Sequence, residues 1–320
     1  MDTPLSNETE MQISSSPDLR TAVLITNPTS GSFLHQHNHQ ATLAYLQKQG
    51  WQVESWPTRG PGDARTLARQ AVDQHLSVVI VAGGDGTINE VIQSLAGSET
   101  ALGVLPTGTV NVWAREMGIP LDNTKAREVL VHGQTRHVDL GMVNDHYFLL
   151  MAGVGLDAHV TQAVERRPLK RLGVVGYALA ALWFGPGYRG FPLTLQIDDA
   201  QPVRMRALQI IAGNTQLYGG AFKFTWMAHC DDGLLDLCIV QQRSFWGRLI
   251  IMGDFVFRSA QRRLRVRYNT FKKAVIETTE PVAIQIDGDP AGYTPATFKV
   301  APGALKVIVP ENAPPEVFSS

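Results

Sequence analysis

A glycine-rich turn with a carboxylate at its centre stands out at Gly83-Gly84-Asp85-Gly86-Thr87. A run of β-branched residues precedes this turn, and an apolar-periodic segment typical of a helix begins directly after it. A strand–turn–helix unit of this kind aims several backbone N–H groups at one point, where the helix dipole also favours an anion. We predict Thr87 as the N-cap and a phosphate site at the turn. The alternative is an ordinary tight turn between a strand and a helix.

The elements around this turn alternate between strands and helices from Thr21 to about Val131. The predicted strands are Thr21–Asn27, Trp51–Trp56, Ser77–Ala82 and Ala101–Leu105, and the predicted helices are His39–Gln49, Gly62–Gln74, Thr87–Leu95 and Val110–Met117. Such alternation predicts a parallel sheet that binds ligands at the carboxyl ends of its strands. Polar, glycine-bearing loops follow three of the strands, at 27–31, 83–87 and 106–109, so they are expected to form a single site.

Short strands dominate after His137, which predicts a second, β-rich domain of antiparallel sheets, interpreted as a sandwich. The predicted strands are His137–Val143, His146–Val154, Pro192–Asp198, Val203–Ala212, Gly233–Val240, Arg263–Tyr268, Ala274–Thr279, Val282–Asp287 and Ala304–Val309. Helical pieces are expected at 157–166, 174–184 and 244–260. We therefore divide the chain into a tail (1–18), an α/β domain (19–136), a β-rich domain (137–312) and a frayed tail (313–320).

Composition narrows the class of protein. The 320 residues are 44% hydrophobic and 18% charged, which is typical of a globular chain of two domains. The formal net charge of −1 provides no field that would attract nucleic acid. Two cysteines, a polar N-terminus without a signal-peptide core, and a longest apolar run of 11 residues predict a cytoplasmic protein without a transmembrane segment, which would need about 20 apolar residues.

Taken together, the loops and several later motifs resemble one family. The matching segments are Asn27–Gly31, Gly83–Glu90, Leu105–Asn111, Ala114–Pro120, Ala152–Asp157, Tyr218–Gly220, Asp231–Asp236 and Gln285–Asp289. They resemble the diacylglycerol kinase catalytic family, in particular the bacterial lipid kinases related to sphingosine and ceramide kinases. The double-glycine motif alone is shared with NAD kinases and phosphofructokinases, whereas the full ordered set is much more specific.

The resemblance implies an ATP-binding α/β domain of the NAD kinase and diacylglycerol kinase type, followed by a β-rich domain, with the active site in the cleft between them. It also implies which residues contact the nucleotide. Carried over by position, these are Asn27, Pro28, Thr29, Ser30, Gly31, Thr58, Gly83, Gly84, Asp85, Gly86, Thr87, Ile88, Asn89, Glu90 and Thr109.

Phosphoryl transfer further requires a divalent cation and a base for the acceptor hydroxyl. We predict that Asp85 holds Mg²⁺ or its waters, because one loop carboxylate together with substrate phosphates can suffice. By resemblance the base is Asp289, where the family usually has the glutamate of an Asp-Gly-Glu motif. The side chain here is one methylene shorter, by roughly 1.5 Å of reach. The alternative interpretation of 287–290 is a plain hairpin turn.

The resemblance implies a second, structural Mg²⁺ site at the Asp231-Asp232-Gly233 segment. Its ligands would be the Asp232 carboxylate and the backbone carbonyls of His229 and Leu234. A turn between two strands is the alternative.

Two segments are candidates for contact with a membrane. The first is basic and apolar, at 166–184, and the second combines an aromatic helix at 244–260 with seven Arg or Lys residues between Arg258 and Lys273. The alternative for the second segment is a helix that packs its aromatic face on the sandwich beside a solvated basic strand, and we favour this for the aromatic residues and membrane contact for the basic ones. Each basic residue contributes about 1 kcal/mol near an anionic leaflet. We therefore predict an ATP- and Mg²⁺-dependent lipid kinase in peripheral contact with the inner membrane face. The alternatives are a kinase for a soluble acceptor such as NAD, and a weakly active nucleotide- or lipid-binding relic. The oligomeric state stays open, a homo-oligomer included.

Overall fold

The computed structural model describes residues 20–27, 33–165, 188–219, 222–241, 246–247 and 266–319. Several predictions fall outside these residues. They concern Pro28, Thr29, Ser30 and Gly31 of the first loop, the apolar segment 174–184, and nearly all of 244–260.

The first half of the chain alternates strands and helices as predicted. Its strands are β1 (Thr21–Thr26), β2 (Gln52–Pro57), β3 (Val78–Gly83) and β4 (Ala101–Pro106), and its helices are α1 (Phe33–Lys48), α2 (Asp63–Asp73), α3 (Asp85–Leu95), α4 (Val112–Glu116) and α5 (Asn123–His132). Helix α5 was not predicted. It begins after Asp122, whose side chain accepts a hydrogen bond of 3.0 Å from the Lys125 amide.

The four strands form a parallel ladder in the order β2-β1-β3-β4. Strands β3 and β4 are buried along their whole length, as expected where a parallel sheet is covered on both faces. The carboxyl ends of the strands lie in register, because Thr26 pairs with Pro57 and Gly83 pairs with Pro106. The loops after all four strands therefore leave one edge of the sheet, which we call the loop edge.

The second half of the chain is rich in antiparallel strands. They are β5 (Gln134–Val143), β6 (His146–Phe148), β7 (Met151–Gly155), β8 (Phe191–Ile197), β9 (Val203–Gly213), β10 (Leu217–Tyr218), β11 (Phe222–Lys223), β12 (Leu235–Gln241), β13 (Arg267–Phe271), β14 (Lys273–Thr278), β15 (Ala283–Ile286), β16 (Asp289–Tyr293) and β17 (Ala296–Val309), and helix α6 spans Leu156–Glu165. Among the described helices, none is both long enough and apolar enough to pass through a bilayer.

Strand β17 joins the two halves of the molecule. Near its C-terminal end Val307 pairs with Leu102 of β4 in the parallel sense, and along its length β17 pairs antiparallel with β5 and β14. A single sheet of 15 strands therefore runs from β2 at one edge to β16 at the other.

The predicted strand His146–Val154 is in fact two strands, β6 and β7. The backbone amides of Leu149, Leu150 and Met151 donate to the carboxylate of Asp287, at 2.9, 3.0 and 2.9 Å. These bonds interrupt the hydrogen-bond ladder of the strand, because three successive backbone amides donate to one side chain instead of to a neighbouring strand. A partner 136 residues or more away in sequence leaves no local signal for this break.

The tail at 313–320 is predicted to fray, and the structure contradicts this for residues 313–319. Val317 and Phe318 are buried, and the Val317 carbonyl accepts a hydrogen bond of 2.9 Å from the Cys230 amide. The guanidinium of Arg136 lies 4.4 Å from the centroid of the Phe318 ring. The C-terminal segment is therefore packed against both halves of the chain, because Pro314 also contacts Gly118 after α4.

Candidate active site

Two glycines hold the loops after β3 and β4 in contact. A Cβ atom built on Gly108 would lie 2.5 Å from the Cα of Gly84, and one built on Gly84 would lie 3.1 Å from the Cα of Gly108. The amide of Thr107 also donates to the Gly83 carbonyl at 3.1 Å. At such distances a side chain on Gly108 would push the loops apart, so this contact requires bare backbone.

Helix α3 begins at Asp85, with Gly84 at the N-cap, so the predicted capping role of Thr87 is wrong. The amides of Thr87 and Ile88 donate to the Gly84 carbonyl at 3.0 and 3.1 Å, which places Thr87 inside the first turn. Its side chain covers Gly83, where an added Cβ would lie 2.8 Å from it. The N-cap contributes no side-chain hydrogen bond, so the first backbone N–H groups of α3 face the loop edge without a capping side chain.

Asp85 ties the two glycine loops together. Its Oδ2 accepts a hydrogen bond of 2.9 Å from the amide of Val112, and its Oδ1 accepts one of 3.1 Å from the amide of Trp113. Both amides belong to the first turn of α4, so the carboxylate caps that helix. Each carboxylate oxygen has room for a further interaction, and the predicted contact with Mg²⁺ stays a prediction.

Asn111 closes the loop after β4, a role that the sequence analysis did not assign. Its Oδ1 accepts from the Gly108 amide at 2.9 Å, and its Nδ2 donates to the Gly108 carbonyl at 2.8 Å. The backbone of Asn111 has φ +52°, a conformation that asparagine tolerates better than most residues. Thr109 lies exposed within this closed loop, as a nucleotide contact would require.

The remaining predicted nucleotide residues divide into two groups. Thr58 and Asn27 lie at the loop edge, where the amide and hydroxyl of Thr58 donate to the Thr26 carbonyl at 2.8 and 3.3 Å. The side chain of Ile88 is buried in the core, and Glu90 accepts from the Ala64 amide of α2 at 3.2 Å. Ile88 is therefore held within the core, whereas Glu90 is half-buried and bonds to the first turn of α2, which follows the loop after β2.

The turn of residues 287–289, the Asp-Gly-Asp turn, is a hairpin, as the alternative interpretation predicted. Ile286 pairs with Asp289, and the two residues between them have φ +49° and +94°. The same turn also brings Asp289 to the loop edge. Its Oδ2 lies 3.8 Å from the position that a Cβ on Gly86 would occupy, beside the first turn of α3. The predicted base therefore faces the predicted phosphate site.

Asp287 connects this turn to helix α3. Besides the three amides described above, its Oδ2 accepts a hydrogen bond of 2.9 Å from the Asn89 side chain. Burial raises the pKa of Asp287 to about 6, and the four donors counteract that rise. Asn89, predicted to contact the nucleotide, thus joins the α/β half of the molecule to the turn that carries Asp289.

A second half-buried aspartate, Asp157, lies under the same turn. Its Oδ2 accepts hydrogen bonds from the Tyr218 hydroxyl at 3.2 Å and the Gln285 side chain at 3.1 Å, and its Oδ1 accepts from the Ala158 amide at 2.6 Å. Burial raises the pKa of Asp157 as well. A Cβ on Gly153 would collide with this carboxylate, so Gly153 provides its space.

The predicted structural metal site has part of the expected donor set. Asp232 accepts from the Leu234 amide at 2.9 Å, and its Oδ2 lies 3.8 Å from His229 Nδ1. Burial raises the pKa of Asp232 and of neighbouring Asp139, and Asp231 raises both further. Crowded carboxylates suit a cation, whereas no three metal-ligating side chains converge among the described residues. Mg²⁺ at this loop would need the backbone carbonyls and stays a prediction.

Comparison with known proteins identifies the family. Residues 21–143 match the diacylglycerol kinase catalytic domain, and residues 151–309 match the YegS C-terminal NAD kinase beta sandwich-like domain. The diacylglycerol kinase of Staphylococcus aureus (strain JH9) is 30% identical over 91% of this chain and 93% of its own. That of Bacillus subtilis (strain 168) is 28% identical over 92% of this chain and 98% of its own.

Solved structures agree in fold. A crystal structure of a protein from Bacillus anthracis (strain Sterne) superposes with a TM-score of 0.79 at 25% identity, over 94% of this chain and 98% of that chain. A diacylglycerol kinase from the same organism superposes with a TM-score of 0.72 at 23% identity, over 92% of this chain and 99% of that chain. The chain therefore belongs to the bacterial diacylglycerol kinase family, and it is a phosphotransferase with an alcohol group as acceptor.

Proposed function

We propose that the protein is an ATP- and Mg²⁺-dependent lipid kinase, which transfers the γ-phosphoryl group to a hydroxyl of a diacylglycerol-like or sphingoid lipid. The observation that carries the proposal is the position of Asp289, whose carboxylate lies beside Gly86 at the start of α3. A base candidate there faces the phosphate site, and the two belong to different halves of the chain. Family membership supports the same reaction class.

The triphosphate would bind at the loop edge. The first turn of α3 offers backbone N–H groups and the positive end of a helix dipole, and its N-cap is Gly84. The exposed Thr109 and the backbone of the Gly108 loop lie opposite. Because Gly84 and Gly108 are in backbone contact, phosphate oxygens can approach both loops without meeting a side chain.

Asp85 is the residue that would hold Mg²⁺ or its waters. The fit rests on its position, because the carboxylate stands between the two glycine loops and uses only one interaction of each oxygen for an amide. Bound Mg²⁺ would neutralise charge on the phosphates. Asp85 has a further task whether or not the ion is bound, since it orients α4 and the loop that contains Thr109.

Asp289 would accept the proton of the attacking hydroxyl. General-base help of this kind contributes about 10²–10⁴-fold to a rate. The aspartate is shorter than the glutamate usual in the family, so its position depends more on the backbone turn than on side-chain torsions. The packing of the Asp-Gly-Asp turn against α3 through Asn89 supports this role.

The acceptor would be reached at the inner face of the cytoplasmic membrane by peripheral contact. Three of the basic residues at the end of the predicted basic run, Arg267, Lys272 and Lys273, are described and exposed. Basic side chains near an anionic leaflet each contribute about 1 kcal/mol, enough for transient binding.

The test is phosphoryl transfer from γ-labelled ATP with Mg²⁺ to mixed micelles of diacylglycerol, monoacylglycerol, ceramide or sphingosine, with NAD as a soluble acceptor. We expect a labelled lipid with the wild type and a loss of about 10²-fold or more with Asp289→Asn. Asp145→Asn, an exposed aspartate in the β5–β6 turn, is the matched control and should keep its activity. Labelled NADP alone would favour the soluble-acceptor kinase, and ATP binding without transfer would favour the relic.

A further inference from the structure

The side chain of Gln285 occupies a buried position between Asp157 and the Asp-Gly-Asp turn. It is fully buried on β15. Its Nε2 donates to Asp157 Oδ2 at 3.1 Å, and its Oε1 accepts from the amide of Gly288 at 2.8 Å. One amide group therefore links a buried carboxylate to the residue that directly precedes Asp289.

The chemistry of the two partners fixes the direction of this amide. The Gly288 amide offers only a donor, so it must face Gln285 Oε1, and this leaves Nε2 to donate to Asp157 Oδ2. A glutamate would place an acceptor against the carboxylate for the same reason. Glutamine is therefore the residue of this length that satisfies both partners.

Asp157, which accepts from Gln285, is itself fixed by several hydrogen bonds. Asp157 accepts from the Tyr218 hydroxyl and the Ala158 amide, and its own amide donates to Gln209 Oε1 at 2.8 Å. These partners come from α6, β9 and β10, three different elements. Since a buried polar network with satisfied partners is rigid, the position of Gln285 is set by the body of the second half of the chain.

The far end of the link lies in the turn that carries Asp289. Gly288 has φ +94° and Asp287 has φ +49°, so the turn consists of two residues in the left-handed region. Asp289 follows at once and pairs with Ile286. A fixed Gly288 amide therefore fixes where the backbone of Asp289 begins its strand.

We propose that Gln285 is a positioning residue for the reaction: through the Gly288 amide it holds Asp289 at the start of α3, and Asp157 anchors it from below. The inference rests on the proposed function, in which Asp289 is the base. Because aspartate has one methylene fewer than glutamate, it has fewer torsions with which to correct a misplaced backbone. A displacement near 1 Å can cost about 10²-fold in rate.

The first test is Gln285→Met, which removes both hydrogen bonds while nearly conserving side-chain volume. We expect kcat for lipid phosphorylation to fall roughly ten- to hundredfold, with KM for ATP within about twofold of wild type, because the variant does not touch the glycine loops after β3 and β4. Gln196→Ala, a partly exposed glutamine on β8, is the control and should change neither. A change in KM for ATP with no change in kcat would contradict the proposal.

A double-mutant cycle separates positioning from mere packing. In the Asp289→Glu background the longer side chain has an extra torsion, so Gln285→Met should cost at least about fivefold less in kcat than it does in the wild type. Equal losses in the two backgrounds would overturn the proposal, because a purely structural role of Gln285 does not depend on the length of residue 289.

Amide hydrogen exchange gives a readout without catalysis. Gln285→Met should speed exchange at Gly288 by roughly tenfold or more, and the Gln196→Ala control should leave it unchanged. Unchanged exchange at Gly288 would overturn the proposed link. If the wild type transfers no phosphoryl group while exchange at Gly288 still rises in the variant, the proposed lipid kinase activity is wrong. The inference that Gln285 holds the Gly288 amide is then still supported.

Discussion

On the nucleotide side of the candidate active site, Gly84 and Gly108 bring two loops together through bare backbone, and Asp85 and Asn111 secure them with bonds to nearby amides. On the acceptor side, the turn that carries Asp289 is held by the half-buried side chain of Asp287 and the buried side chain of Gln285. Short motifs after two neighbouring strands therefore specify the predicted phosphate site. The position of the predicted base instead depends on side chains from distant segments.

The largest effect should come from removing the carboxylate that holds the acceptor side. Asp287→Ala leaves the amides of Leu149, Leu150 and Met151 without their acceptor, and we expect the free energy of unfolding to fall by about 3–5 kcal/mol at pH 8. Denaturant unfolding measures this. Asn89→Ala removes one donor and keeps the amide contacts, so it should cost only about 1 kcal/mol. Equal costs would mean that the carboxylate serves mainly to join α3.

The nucleotide side should respond to a single methyl group. Gly108→Ala places a Cβ 2.5 Å from Gly84 Cα and 2.7 Å from Asn111 Oδ1. We expect a loss of about 1–3 kcal/mol in stability and a rise of at least about tenfold in KM for ATP, because the loops must separate. Gly60→Ala, which meets nothing within 4 Å, is the control. An unchanged KM in Gly108→Ala would show that the close contact of the loops is not needed for nucleotide binding.

Asp236, a buried aspartate of β12, can be compared directly with Asp287, because burial raises the pKa of each carboxyl group to about 6. Within the described part of the chain, Asp236 Oδ1 is buried without a hydrogen-bond partner and the carboxylate bonds to the side chain of Tyr268, whereas the Asp287 carboxylate has four donors. Its ionisation therefore lowers stability, and we expect Asp236→Asn to be more stable than the wild type by about 1–2 kcal/mol at pH 8.

The sign of the pH dependence follows from the same shift. The pKa of Asp236 rises from 3.8 unfolded to about 6 folded, so the folded state holds the proton more tightly. This group favours folding below about pH 4, and its contribution is lost as pH rises through about 6. Glu116, Asp139, Asp157 and Asp232 shift in the same direction, so the measurement is the difference between wild type and Asp236→Asn across pH 4–8. A constant difference would contradict the assignment.

The smallest effect is expected at the rim of the nucleotide side. Thr58→Val removes the hydroxyl bond of 3.3 Å to the Thr26 carbonyl and keeps the amide bond of 2.8 Å. Stability should fall by about 0.5–1 kcal/mol. KM for ATP should rise only if the hydroxyl also contacts the nucleotide, and steady-state kinetics distinguish the two cases. Thr66→Val, an exposed threonine of α2, is the matched control.

The sequence predicted the parts of this site that depend on local patterns. The β-branched run before Gly83 and the glycine loops placed the strands of the first half within a residue or two of their observed ends. The family motifs led to Asp289 as well. Helix α5 was missed because its start depends on the capping residue Asp122 more than on a strong apolar stripe.

The remaining features depend on contacts between distant residues. No sequence pattern near Leu149 indicates that its amide will donate to Asp287 and leave the strand ladder. In the sequence, Gln285 is one more alternating residue of a predicted strand. That pattern does not indicate its hydrogen bond to Asp157, which lies 128 residues earlier. The burial of Phe318 likewise depends on Arg136 and its surroundings. These contacts are set by tertiary packing, which a linear pattern does not encode.

The pairing of Val307 in β17 with Leu102 in β4 has a consequence for the order of events during synthesis. Strand β4 acquires this neighbour only after the ribosome has made residue 307. Until then one edge of the α/β sheet is open, although its other strands left the exit tunnel much earlier. At about 5–20 residues per second, the separation of 205 residues between Leu102 and Val307 (307 − 102) corresponds to an interval of roughly 10–40 seconds. The nascent chain therefore carries an unpaired edge strand for that time, and chaperone contact during translation should concentrate there.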